Sequence, residues 1–203
     1  MNRLYFSPAS PFARKVRVAM HEKDIVDRVE EVEVTTSPVD TNADLAAYNP
    51  LGKLPCLVRA DGRVVYDSRA ILRFIDSLSA DAPLYPSDDT EFDRLTVESL
   101  AEGVIEAALQ CVYERRVRAE DQVSQPWLDG QQDKINRALN WFEVHVSDAL
   151  APSFDAASIG LACGLAYLDF RQPIGDWRPG RRQLSAWYDT VSGRPSLVKT
   201  KQN

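Results

Sequence analysis

The apolar residues of this 203-residue chain change their spacing near residue 80. Before that point, short strand-like runs alternate with stretches of helical period; beyond about residue 90 only the helical period remains. A sheet with covering helices and a bundle of helices bury their apolar faces in different ways, so this switch predicts two cores in succession. The length accommodates them as two small domains.

In the first part, Leu4-Tyr5-Phe6 reads as a short strand ended by Ser7-Pro8. Phe12, Val16, Ala19 and Met20 then fall on one helical face, with Arg14, Lys15 and Arg17 on the other. Ser10-Pro11 marks the start of that helix: serine is a favoured N-cap, and proline at the first helical position gives up no bond. Val29, Glu31, Val32 and Val34 suggest an acid-decorated strand, followed by a helical turn at residues 45–48. Asn49-Pro50-Leu51-Gly52-Lys53 is a turn-rich loop leading into Leu54-Pro55-Cys56-Leu57-Val58. Asp61-Gly62 before Val64-Val65-Tyr66 is a hairpin signal, and Asp67-Ser68 caps a helix with Ile71, Leu72, Ile75 and Leu78 on its apolar face. The order βαβαββα, with one parallel crossover and a final hairpin, is a thioredoxin-like arrangement.

Pro83 and Pro86 lie in a stretch without periodicity, read as a linker at 79–87 between a domain at 1–78 and an all-α domain at 88–203. In the second part, Leu95 to Val112 and Ile135 to Val146 mark two long helices, the second following Pro126. A third runs from Ser158 to Leu168 with Asp155 as its N-cap, and a fourth covers Leu184 to Val191 and stops at Gly193-Arg194-Pro195. The aromatic set Tyr113, Trp141, Phe142, Tyr167, Phe170, Trp177, Trp187 and Tyr188 is expected to be mostly core.

A net charge of −6 has the wrong sign for a nucleic-acid binder. Residues 1–80 hold 11 of the 24 basic and 11 of the 30 acidic side chains, so the excess lies entirely in the second part. Cys56, Cys111 and Cys163 are widely spaced and odd in number, which suggests buried thiols in a reducing compartment. Arg14, Lys15 and Arg17 interrupt any signal-peptide core, and the apolar run 159–168 is about half a membrane span, so a cytoplasmic protein without membrane attachment is expected. His21 and His145 stand about 120 residues apart without a ligand pattern, and no metal site is expected.

The run Ser7-Pro8-Ala9-Ser10-Pro11-Phe12-Ala13-Arg14-Lys15-Val16, the loop Asn49 to Pro55, the pair Asp67-Ser68 and the helical second part together resemble a cytosolic glutathione S-transferase of the bacterial, serine-using type. The resemblance spans nearly the whole chain, in the family's order. It implies glutathione as co-substrate, a hydrophobic electrophile bound largely by the helical domain, and a homodimer. It places thiol activation on Ser10; Ser7, which also follows the first strand, is the competing serine. Phe12, Lys53, Leu54, Pro55, Asp67 and Ser68 would hold the tripeptide. By the resemblance Pro55 is cis, so that Leu54 offers its backbone to glutathione like an added strand. Lys53 would meet the glycyl carboxylate, and Asp67 and Ser68 the γ-glutamyl end. Read from the residues alone, Ser10 is an ordinary N-cap, Pro55 a trans turn residue and Lys53 a solvated cation.

For the electrophile pocket the resemblance points to Tyr113 and Arg116, near the end of the first long helix. The capping pair of the core helix departs from the family pattern, reading Asp155 then Ser158 where many members have Ser or Thr and then Asp. The expected activity is attack of a bound glutathione thiolate on an electrophile. The alternative is a non-catalytic binding or regulatory protein on the same scaffold. A thiol reductase would require cysteine at position 10, where this chain has serine.

Overall fold

The computed structural model describes residues 1–80, 83–85, 90–150 and 154–202. They form two compact units, one from the described residues of 1–85 and 194–202 and one from those of 90–193.

The first unit is built on a four-stranded sheet in the order β2-β1-β3-β4. Strand β1 (Asn2–Phe6) pairs parallel with β2 (Val29–Glu33) and antiparallel with β3 (Cys56–Val58), which pairs antiparallel with β4 (Val64–Val65). Helices α1 (Pro11–Glu22), α2 (Ala43–Tyr48) and α3 (Ser68–Asp76) complete the expected βαβαββα order. The hairpin forms where Asp61-Gly62 predicts it: Gly62 takes φ +84, and the Asp61 carboxylate accepts the Arg63 amide at 3.0 Å.

The C-cap of α1 reaches α3 through an ion pair between the buried Lys23 and the partly buried Asp76, Nζ to Oδ1 at 2.9 Å. Asp76 also accepts the amides of Leu84 and Tyr85 at 2.9 and 3.3 Å, so residues 84 and 85 of the expected linker are tied to the first unit. Residues 81, 82, 86 and 87 of that linker lie outside the described residues.

The second unit packs α4 (Glu91–Val117), α5 (Gln125–Ala149), α6 (Ala156–Arg171) and α7 (Arg182–Ser192) around one apolar core. Helix α6 is its axis, buried along most of its length. Gly164 lets it lie close to α4, since a Cβ there would come within 3.3 Å of Ile105. Asp155 caps α6 as expected, accepting the Ser158 amide at 3.0 Å. Its second oxygen is held by Arg94 of α4, which also donates to the Ala149 carbonyl. Trp177 is fully buried; its indole N–H donates to Asp169 at 2.8 Å, and Arg178 pairs with both oxygens of that carboxylate at 2.7 and 2.8 Å. Phe142 and Tyr167 are buried as expected, but Trp141 is 38 % exposed and stacks on His145 with ring centroids 4.4 Å apart.

Two features differ from the reading of the sequence. Helix α7 ends before Gly193, but the chain does not stop there: Pro195 opens a further short helix, α8 (Pro195–Lys199). Residues 194–202, assigned from sequence to the helical domain, belong to the first unit. The physical reason is a polar clamp on α1. Arg194 donates to both oxygens of Glu22 at 3.0 and 2.6 Å, and the Ser196 hydroxyl donates to the same carboxylate at 2.5 Å. Arg14, buried and one turn into α1, donates to the Leu197 carbonyl at 2.9 Å.

Candidate functional site

The sheet register brings the expected glutathione-site residues of the first unit to one end. Tyr5 lies opposite Cys56, so β3 begins where β1 ends, and Leu57 lies opposite Val65, so β4 leaves the sheet at that same end. The loop after β1 carrying Ser10, the Leu54-Pro55 step before β3 and the Asp67-Ser68 pair after β4 therefore emerge side by side. Tyr113 and Arg116 belong to the other unit.

Ser10 is the N-cap of α1, with extended backbone angles (φ −81, ψ 120), and its Oγ accepts the Ala13 amide at 3.2 Å. A hydroxyl has one donor and two acceptor positions, so the capping bond leaves the Ser10 proton available to a ligand. Pro11 has no N–H, and the Phe12 amide has no partner within the helix by its position in the first turn. The arrangement suits an anion placed over this helix end. Ser7 has a different place: its carbonyl accepts the Ser10 amide at 3.0 Å, closing the turn that delivers Ser10.

The Leu54-Pro55 peptide is cis, as is Tyr66-Asp67. The loop before it is organised by Asn49, a buried residue to which the sequence reading assigns no role. Its Nδ2 donates to the Lys53 carbonyl at 2.8 Å, its Oδ1 accepts the Leu51 amide at 3.1 Å, and its carbonyl accepts the Gly52 amide at 2.8 Å. The signal for it was present, since Asn before Pro initiates turns through this kind of side-chain bond. Gly52 takes φ +60 and lies so close to Thr41 that an added Cβ would be 2.4 Å from its methyl group. Thr36 completes the brace by donating to the Gly52 carbonyl at 3.1 Å. Lys53 is exposed, free of the loop's internal bonding through its side chain, and Leu54 is half-buried.

Asp67 caps the nine-residue helix α3 by accepting the Arg69 amide at 3.0 Å; it is exposed, whereas Ser68 is buried. The second Asp67 oxygen lies 3.4 Å from the Arg69 guanidinium, but each carboxylate oxygen has two acceptor positions, so the cap is compatible with a polar helix end directed at a ligand.

Cys56 follows the cis proline, but it is fully buried and burial pushes its thiol up to about 11. At neutral pH it is a protonated core residue, so the chain does not supply a reactive thiolate there. Cys111 and Cys163 are buried as well, and neither is in a disulfide. In the second unit Tyr113 is half-buried, its phenol pushed up by burial against the pull of Arg116, and Arg116 is exposed. An open depression of about 300 Å³ in this unit is lined instead by Gln110, Glu114, Arg118, Ser124 and Trp127. The Ser124 amide and the Arg118 guanidinium hold the Glu114 carboxyl there below its usual range. Among the described residues no group of three or more His, Cys, Asp or Glu could hold a metal ion, and no helix is long and apolar enough to cross a membrane.

Two family models match the chain: the glutathione S-transferase N-terminal domain over residues 9–78 and the glutathione S-transferase C-terminal domain over residues 125–190. The GST-like protein YibF of Escherichia coli K12, itself uncharacterised, is 31% identical over 98% of both chains. The chain belongs to the glutathione S-transferase family. Among solved structures, a glutathione transferase family member from Pseudomonas fluorescens Pf-5 with bound glutathione is 43% identical, covers both chains fully and superposes with a TM-score of 0.97. A glutathione S-transferase from Methylobacillus flagellatus KT, also with glutathione bound, is 33% identical over the full length of both chains, with a TM-score of 0.89. The four-stranded mixed sheet with its helices, followed by a helical unit, is the fold of this family.

Proposed function

We propose that the protein is a glutathione transferase that binds glutathione at the Ser10 end of its sheet and activates the thiol for attack on a hydrophobic electrophile. The observation that carries this reading is the position of the Ser10 hydroxyl: capping α1 through an acceptor position, with its proton left to donate, beside the Leu54-Pro55 and Asp67-Ser68 loops. Glutathione held by the related Pseudomonas protein supports the ligand.

The energetics are of the right size. A thiol of pKa near 8.5 is mostly protonated at neutral pH, and lowering it by two units requires about 2.7 kcal/mol. A hydroxyl donating to an anion supplies about 1.5–3 kcal/mol, and a helix N-terminus adds about 0.3–1 kcal/mol. In this mechanism the thiol gives its proton to solvent water while Ser10 donates to the sulfur, and the α1 amides face the resulting anion. The backbone of Leu54 pairs with the cysteinyl unit, Lys53 meets the glycyl carboxylate, and Asp67 with Ser68 takes the γ-glutamyl end. Phe12 covers the tripeptide from α1. The sulfur then bonds to the electrophilic carbon as the leaving group departs with the electron pair. Tyr113 and Arg116 are assigned to the electrophile, and the active species to a cytoplasmic homodimer whose mass sedimentation velocity measures.

The test is titration with glutathione, followed by ultraviolet absorbance of the bound thiolate and conjugation of a panel of electrophiles. Ser10→Ala is expected to raise the bound thiol's pKa by about 1–2 units and to lower kcat/KM at neutral pH by roughly ten- to a hundredfold. Glutathione binding without turnover on any electrophile would instead identify a binding protein on this scaffold. Full activity in Ser10→Ala with loss in Ser7→Ala would move the role to Ser7.

A further inference from the structure

We infer that Gln202 is a positioning residue for Ser10: it holds the peptide group preceding the serine from a part of the chain nearly two hundred residues away. The inference rests on the glutathione reading above.

The peptide joining Ala9 to Ser10 is held at both of its polar ends. On one side the Ser10 N–H donates to the Ser7 carbonyl at 3.0 Å, a bond local to the turn. On the other the Ala9 carbonyl accepts Gln202 Nε2 at 3.1 Å. Rotating this peptide plane changes φ of Ser10, and with it the direction of the Cα–Cβ bond that carries the hydroxyl. The local turn restrains one end of the plane only; the second restraint comes from Gln202.

A restraint is as good as its own support, and Gln202 is well supported. It is 7 % exposed, at the end of a segment anchored on α1. Arg14, whose amide donates to the Ser10 carbonyl at 3.0 Å, reaches the Leu197 carbonyl with Nη2 and Thr200 Oγ1, at 3.5 Å, with Nε. Thr200 in turn donates to the Ser196 carbonyl at 2.8 Å, and Ser196 to Glu22. The segment is thus fixed to both ends of the helix that Ser10 opens. Gln202 Oε1 is buried with no partner among the described residues, so the interior carries an unsatisfied oxygen on the side chain whose donor holds Ala9. A side chain present only for packing gains nothing from that amide.

This orphaned oxygen makes the inference testable apart from stability. Gln202→Met keeps the length and volume of the side chain, removes the donor and removes the unsatisfied acceptor with it. It is expected to leave the melting temperature unchanged or raised and the glutathione Kd within about twofold. The bound thiol's pKa should rise by roughly half a unit to one unit, and kcat should fall about three- to tenfold, because a misaimed hydroxyl donates poorly to the sulfur. Gln202→Glu, isosteric but facing the Ala9 carbonyl with a second acceptor, should show a larger rise in the same direction. In a Ser10→Ala background Gln202→Met should cost nothing further, since it acts through the serine.

If Gln202→Met matches wild type in thiol pKa and kcat, or if its loss is the same with and without Ser10, the positioning role is overturned while the glutathione reading stands. A wild-type protein that neither binds glutathione nor shows a thiolate band overturns both.

Discussion

The loop end of the sheet and the helical unit are stabilised by opposite means. Around the sheet, the shape is specified by residues acting on their own neighbourhood: Ser10 caps the helix it opens, Asn49 bonds residues two and four positions away, and Gly62 turns its own hairpin. In the helical unit the polar contacts that define the structure span distant positions. Arg181, at the N-cap of helix α7, makes no side-chain capping bond; Glu143 of α5 accepts the amides of Gln183 and Leu184 at 3.0 and 2.9 Å instead. Arg94 and Asp155 join positions 61 apart, again with no local signature. A binding site that must present backbone groups at fixed angles thus takes its caps and turns from short-range chemistry, with Thr36 and Gln202 as braces from farther along the chain. A bundle that needs only to be packed leaves its polar pairs to whichever helices meet.

That contrast can be broken at its strongest point first. Asp155→Ala removes the α6 cap and leaves Arg94 partly buried without its carboxylate, and should cost about 3 kcal/mol of stability in denaturant unfolding. A loss under 1 kcal/mol would mean that the helical unit does not depend on its long-range pairs. Next, Gly52→Ala meets both a positive φ and the Thr41 methyl, and should cost about 2 kcal/mol while weakening glutathione binding through the displaced Lys53-Leu54 step. Adding Thr41→Ser, which deletes the methyl but leaves φ unchanged, should recover only part of the loss. Complete recovery would show crowding, not backbone conformation, to be the constraint.

The smallest effect belongs to the clamp that joins residues 194–202 to α1. Burial pushes the Glu22 carboxyl up, but the hydrogen bonds from Arg194 and Ser196 outweigh it and hold it below its usual value. A depressed carboxyl contributes stability that is fully present above its unfolded pKa, near 4.5, and is lost as pH falls through the lower folded value. Hydrogen exchange at residues 195–202 should therefore accelerate relative to the rest of the first unit below about pH 4.5 in wild type, and Glu22→Gln should abolish that pH dependence. Unchanged acid sensitivity in Glu22→Gln would assign the effect to other carboxylates.

Much of the first unit was legible because its signals are stereochemical and local. Ser10-Pro11, Asp61-Gly62 and Asp67-Ser68 each restrict φ, ψ or hydrogen bonding within three residues, and each lies where its pattern predicts. The Asp155 cap was readable for the same reason, but the arginine that completes it was not, because nothing near position 155 points to position 94. The exposure of Trp141 was missed because helical spacing does not tell a core stripe from a stacked surface pair with His145. Helix α8 is short, and its stability comes from Arg14 and Glu22, not from its own five residues.

The sequence by itself determined the strand and helix order as far as α7, the caps and turns at the sheet's end, the membership of this family, and the serine that stands where a cysteine would imply other chemistry. Only the tertiary structure decided that residues 194–202 return to the first unit and that Gln202 meets the carbonyl before Ser10. The physical reason is range. Backbone stereochemistry and capping act over a few residues and are written in consecutive letters, whereas an arginine, a carboxylate or an amide finds its partner only once packing has closed the chain around it.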